Sequence, residues 1–232
     1  MTGTDAGPRR SQRVPLSASA LGLGAIYATL FWLLVSLAFH WIRPELEPCC
    51  SYISHYGHGD YEWLMQAAFV VFGFGWMAAA ISLRRALRET RAGAVLRTLL
   101  LVVGFGLLVA GMWRTDEFGF TGDPTPEDVF HKIGGLVAFS ALIVFGLLAA
   151  WLFRGTRLQG LTVAHLVLAL VTLGLLIAFT IAPTADADGF GWWQRALTMG
   201  VMPGWLIWLG WRLALTARAD ARRASTSSTR PS

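Results

Sequence analysis

The sequence predicts an all-α, polytopic membrane protein: a six-transmembrane-helix bundle with both termini cytoplasmic. Three observations carry this expectation. Hydrophobic residues make up 55% of the 232-residue chain and charged residues only 14%, a balance far from that of a soluble domain. Six apolar runs, at about 19–41, 63–83, 98–113, 133–153, 160–182 and 193–211, are each about long enough to cross a hydrocarbon core as a helix. The charge between the runs also alternates in sign. Arg9, Arg10 and Arg13 precede run one; Arg84, Arg85, Arg88, Arg91 and Arg97 follow run two; Arg154 and Arg157 follow run four; Arg212, Arg218, Arg222, Arg223 and Arg230 follow run six. These are fifteen of the nineteen basic residues, whereas eleven of the fourteen acidic residues fall in the other three loops. Cytoplasmic loops collect Lys and Arg, so the basic segments belong inside and the acidic loops outside.

Each element has its own justification. Residues 1–18 are polar, rich in Gly, Pro, Ser and Arg, and read as a disordered cytoplasmic tail. The small Ser-Ala-Ser-Ala stretch precedes run one, whereas a cleavage site would follow it, so run one is expected to remain as a helix. Run three reaches a comfortable length only by taking in Val95, Leu96 and a snorkelling Arg97. Thr125, Pro126 and Asp128 form a capping-box-like start that extends helix four upstream of run four. Trp41, Trp63, Trp113, Trp192 and Trp193 at outer ends, with Trp151 and Trp211 at inner ends, make the expected interfacial belt. Residues 19–215 form one transmembrane domain, and 216–232 a basic, Ser/Thr-rich tail that starts helical. Gly104, Gly106, Gly111, Gly134, Gly135, Gly200 and Gly204 read as places where helix backbones approach closely.

The loops separate functions. The net charge of +5 lies in short segments beside the spans, where orientation and anionic headgroups explain it and nucleic acid does not. No Asp, Glu or Lys falls near the middle of a run, which argues against a proton-coupled pump or ion channel. Nearly every residue able to do chemistry is on the acidic side. His55, His58 and Asp60 offer two imidazoles and a carboxylate to a metal, with plain solvated loop residues as the alternative. Cys49 and Cys50 are adjacent; a vicinal disulfide is strained and uncommon, and a redox role ranks below a plain loop. Asp116, just past helix three, and His131, early in helix four, are candidates for a charge-paired base or ligand pair. His40 and His131 could pair across a single outer haem, but His165 has no inner partner, so no cofactor is strongly implied.

The same loops carry a resemblance. Ile53-Ser54, Tyr56-Gly57, Trp63-Leu64-Met65 and Phe69 through Gly73, then Gly111-Met112-Trp113-Arg114-Thr115-Asp116, His131 and Gly134-Gly135, resemble the membrane family catalogued as domain of unknown function 998. The resemblance implies six spans, an outer-loop Ile-Ser pair, an Asp after helix three and a His opening helix four. Trp113-Arg114 stands where Phe-Pro is more usual. It implies no activity.

Three functions compete. The first is a membrane protein that binds a lipid or other amphiphile in an outer-leaflet pocket lined by Ser54, Asp116 and His131. The second is a metal-assisted hydrolase or transferase acting on lipid or envelope substrates through Asp116 and His131, joined by His55 and His58. The third is a small-molecule permease, disfavoured by the lack of central charge and of an internal repeat. The expected partners are membrane lipids and the expected location is a bacterial plasma membrane; the sequence fixes neither substrate nor oligomeric state.

Overall fold

A computed structural model describes residues 18–86, 90–154, 159–181 and 189–228. The described residues are helical or irregular, with no strand. The helices are α1 (Ala18–Ile42), α2 (Glu62–Ala86), α3 (Arg91–Met112), α4 (Pro126–Leu152), α5 (Thr162–Ile181), α6 (Phe190–Arg195) and α7 (Met202–Ser228). Five stretches are long and apolar enough to cross a membrane: Ala18–Ile42, Glu62–Arg84, Arg91–Met112, Pro126–Leu152 and Gln159–Ile181. The sixth apolar run lies in a helical stretch of three pieces, in which the π-helical segment Ala196–Val201 joins α6 to α7. Residues 1–17, the expected disordered tail, lie outside the described residues, and α7 carries the polar C-terminal stretch as helix to Ser228.

Successive helices run antiparallel and close into a ring in which α7 packs back onto α1 and α2. Cross-contacts give the sense directly. Ser82 of α2 donates to the Ala18 carbonyl at one end of α1, while Trp32, further along α1, stacks on Phe72 and meets Phe69 edge-on. Hydrophobicity does not drive such packing in lipid; close van der Waals fit does. Facing glycines supply the fit at three seams. A Cβ on Gly22 would stand 2.7 Å from the Gly210 carbonyl oxygen (α1–α7), one on Gly73 2.7 Å from that of Gly104 (α2–α3), and one on Gly106 2.6 Å from that of Gly134 (α3–α4). Gly200 and Gly204 differ from expectation: nothing lies within 4 Å of a Cβ added at either, so they make no close helix contact.

The π-helical segment has a sequence cause. Pro203 has no N–H, so the carbonyl five residues earlier, that of Thr198, has no donor in the π register. The Trp32 indole fills the vacancy, donating to the Thr198 oxygen at 2.8 Å, while the Met202 N–H closes the π bond to Leu197. The wider turn brings Gln194 and Thr198 to the inner wall of the ring, at the end where the acidic loops fold over it.

Candidate functional site

The first two of the three acidic loops are folded structures, and residues 182–188 of the third lie outside the described residues. The first, between α1 and α2, tucks a 3-10 turn, Ile53–Gly57, into the end of the bundle, burying Ile53, Ser54 and Tyr56. Gln194 accepts the Ile53 N–H at 2.7 Å. Arg195, 4% exposed, is the clamp: its guanidinium donates to the Pro48 carbonyl (3.0 Å), the Ser51 carbonyl (2.6 Å), the Tyr56 hydroxyl (3.0 Å) and His40 Nε2 (3.1 Å). Gly191 lets the loop sit this close, since a Cβ there would stand 2.3 Å from the Pro48 carbonyl oxygen. Among the described residues Arg195 has no carboxylate partner; carbonyls and neutral side chains satisfy it. Arg43 ties the loop's far end by donating to the His58 carbonyl and to Glu45.

The second loop is held by two crossed carboxylates. Thr125 caps α4, accepting the Asp128 N–H at 3.2 Å, as its sequence predicts. The reciprocal half of the expected capping box is absent. The Asp128 side chain, 0% exposed, turns instead to the Thr115 hydroxyl (2.7 Å), the Asp116 N–H (3.1 Å) and Lys132 Nζ (2.6 Å). Asp116 in turn accepts from the Thr125 hydroxyl (2.7 Å) and N–H (3.3 Å). Asp116 is therefore engaged in holding the start of α4, and the structure does not pair it with His131.

His131 bonds elsewhere. Its Nδ1 lies 2.7 Å from the Ala110 carbonyl and 3.1 Å from that of Trp113. Carbonyls only accept, so Nδ1 carries the hydrogen and the neutral ring's Nε2 is an acceptor. The imidazole answers open carbonyls at the C-terminal end of α3. The ring also lines a cavity of about 340 Å³, together with Ser54, Lys132, Gln194 and Thr198 at its polar end and Trp32, Phe72 and Phe139 along its apolar wall. The volume is within the usual range of small-molecule sites, about 300–1,000 Å³. A recess of about 10 Å³, also lined by Ser54 and His131, extends toward Arg114, which is paired with Glu62 at 3.0 Å.

The remaining candidates stand apart from the cavity's polar end. His55 Nδ1 accepts the Tyr52 N–H at 3.1 Å, and its ring packs against Tyr52 and Phe118. Burial pushes the His55 imidazole down to about 4, with the neighbouring His58 and His131 imidazoles and the Arg195 cation acting in the same direction and Asp128 against it. His58 Nε2 bonds the Thr115 carbonyl, and Asp60 is exposed. His55, His58 and Asp60 are not brought together as a ligand set. The group of acids and sulfurs whose ligand atoms do converge, Glu47 with Cys49 and Cys50, has its two sulfurs joined to each other. That vicinal bridge sits where the Gly191 N–H takes the Cys49 carbonyl at 3.0 Å and the Arg195 clamp holds the residues on either side. His40 is also occupied, with Nδ1 donating to the Ser36 carbonyl (2.9 Å) and Nε2 accepting from Arg195. His165 is buried among Phe145, Phe153, Trp205 and Trp208 at the other end of the bundle.

Sequence reasoning missed Lys132, Gln194, Arg195 and Thr198. The signals were present: a Gln-Arg pair inside an apolar run, and a Pro five residues after Thr198. No curated protein and no solved structure matches the chain. A family model described as "Protein of unknown function (DUF998)" matches residues 26–212. With that match running from within α1 to within α7 and taking in both loops that build the cavity, the chain belongs to the DUF998 family.

Proposed function

We propose that this is a six-span protein of a bacterial plasma membrane, with both termini cytoplasmic, whose cavity holds a lipid or other amphiphile at the outer leaflet. The single observation behind this reading is the shape of the cavity's chemistry. Aromatic and aliphatic side chains line one part, and Ser54, His131, Lys132, Gln194 and Thr198 gather at the end beneath the acidic loops. An amphiphile has the same polarity along its length. The charge alternation supports the orientation, because it assigns the Arg-rich segments to the cytoplasm and the acidic loops to the outside. The sixth span is the stretch α6 to α7, broken by the π segment without losing its apolar character.

The test is lipid content after purification in detergent, read by mass spectrometry. Wild-type protein should retain near-stoichiometric lipid. His131→Ala should lose most of it, because the cavity's imidazole is gone. Asp116→Ala should retain it while melting at a lower temperature, because Asp116 holds the Thr125 cap of α4 and does not line the cavity. Equal lipid content in wild type and His131→Ala would overturn the reading.

A further inference from the structure

The cavity is open on one side. Three of the residues that line it are also exposed on the bundle's perimeter: Lys132, whose side chain is 61% exposed, Leu136 at 55%, and Thr180. Lys132 and Leu136 are on α4 and Thr180 is on α5. The opening therefore lies between these two helices, on the flank that would face lipid. Gly135 forms part of its edge. A Cβ added to Gly135 would meet only a ring carbon of Phe139, at 3.7 Å, an ordinary contact. The neighbouring wall at Gly134 has no such space.

The groups at the opening favour one sign of charge. Among the described residues lining the cavity there is no Asp or Glu. Lys132 is ion-paired with buried Asp128, 2.6 Å away, which tethers its ammonium at the opening. The Gln194 oxygen is used by the Ile53 N–H, so its amide hydrogens are the part left to offer. Ser54 can donate as well. Directly behind Gln194 is Arg195, a buried cation without a carboxylate partner among the described residues. Lys132 and Gln194 thus present N–H donors at the opening, beside acceptors at His131 Nε2 and at the Thr198 and Thr180 hydroxyls, and among the described residues the charge without a carboxylate partner is the Arg195 cation.

We propose that the ligand is a single-chain anionic lipid, with a carboxylate or phosphate head, that enters sideways from the outer leaflet between α4 and α5. Its chain lies along Trp32, Phe72 and Phe139, and its head takes the N–H groups of Lys132 and Gln194. This rests on the amphiphile reading above and adds the sign of the head and the route of entry.

The experiment uses delipidated full-length protein in nanodiscs of neutral lipid. Probes are oleate, oleyl alcohol as the uncharged chain of equal length, and acetate and inorganic phosphate as heads without a chain. Oleate should bind at least about tenfold more tightly than oleyl alcohol, and millimolar acetate or phosphate should not displace it. Lys132→Gln should remove most of that preference by weakening oleate alone. Gly135→Trp should block both chains while the melting temperature stays near wild type. Equal binding of oleate and oleyl alcohol would overturn the anionic head and leave the amphiphile reading intact. Failure of both to bind wild type would overturn the amphiphile reading itself. Displacement of oleate by acetate or phosphate would assign the site to a soluble anion, and unchanged binding in Gly135→Trp would close the lateral route.

Discussion

Gly134 and Gly135 are consecutive residues on one helix, and they serve opposite ends. Gly134 faces α3, where a Cβ would stand 2.7 Å from the Gly106 carbonyl oxygen and 2.8 Å from the Ala110 nitrogen. Gly135 faces the cavity, where a Cβ meets a single ring carbon at 3.7 Å. One glycine removes a side chain so that two backbones can touch; its neighbour lacks one where an opening begins. Small residues in membrane helices are usually read as contact points. The pair shows that the same letter can mark a sealed seam or a gap, and that only the helix face distinguishes them. The largest expected effect tests this directly. Gly134→Leu should force α3 and α4 apart and cost more than about 3 kcal/mol, beyond ordinary overpacking of about 1–3 kcal/mol, because backbone and not a flexible side chain must yield. Gly135→Leu should change stability by less than about 1 kcal/mol, since the helix gains from losing a glycine and nothing is displaced. Thermal melting of the two variants in detergent compares them. Equal losses would remove the distinction between seam and opening.

The sealed side is closed at its top by the Arg195 clamp. Arg195→Met keeps much of the apolar stem and removes every donor. The Ser51 and Pro48 carbonyls and the Tyr56 hydroxyl then lose their partners, each worth about 1–3 kcal/mol when left buried and unsatisfied. Some water can enter from the loop side, so the expected net loss is about 2–3 kcal/mol, below that of Gly134→Leu. Hydrogen exchange should localise it to residues 47–57 and leave the α3–α4 seam protected. Exchange that rises across the whole bundle instead would mean that the loop clamp and the seam are one cooperative unit.

The sequence made the fold legible because a span is a coarse object. Run length, charge alternation and tryptophan placement all point the same way, and five helices meet the length and apolarity of a span close to where the runs place them. The Thr125-Pro126 start of α4 was readable for a local reason, since a cap involves residues three apart. The site was readable in part. Ser54 and His131 line the cavity, but Asp116 lies in a loop that uses its carboxylate to hold Thr125. Loop acids serve equally well as caps or as ligands, and one-dimensional spacing does not say which partner wins. Lys132 and Gln194 were hidden for a different reason. Each stands at the edge of an apolar run, where a polar residue ordinarily marks the end of a span, and only the ring's closure turns them inward or over the opening.

His55 offers the finest probe of how tightly the first loop closes over the cavity. Burial, with the neighbouring His58 and His131 imidazoles and the Arg195 cation acting in the same direction, holds its imidazole at about 4 against an ordinary value of 6.5. The folded loop therefore prefers the neutral ring, which accepts the Tyr52 N–H. An opened loop would take up a proton between those two values and the closed loop would not. Stability is accordingly full above 6.5 and is lost as pH falls from 6.5 toward 4. Melting temperature should decline through that window, and His55→Gln, neutral at every pH and still able to accept from Tyr52, should flatten the decline. Asp128, the acid among the described residues that acts on His55 in the opposite direction, is held by Lys132 and Thr115. The effect is smaller than either substitution above because the ring is only half-buried and water relieves part of the charge. A slope unchanged in His55→Gln would place the titrating group elsewhere and show that the loop stays open enough to solvate its histidine, which would extend the open side of α4 across the top of the cavity.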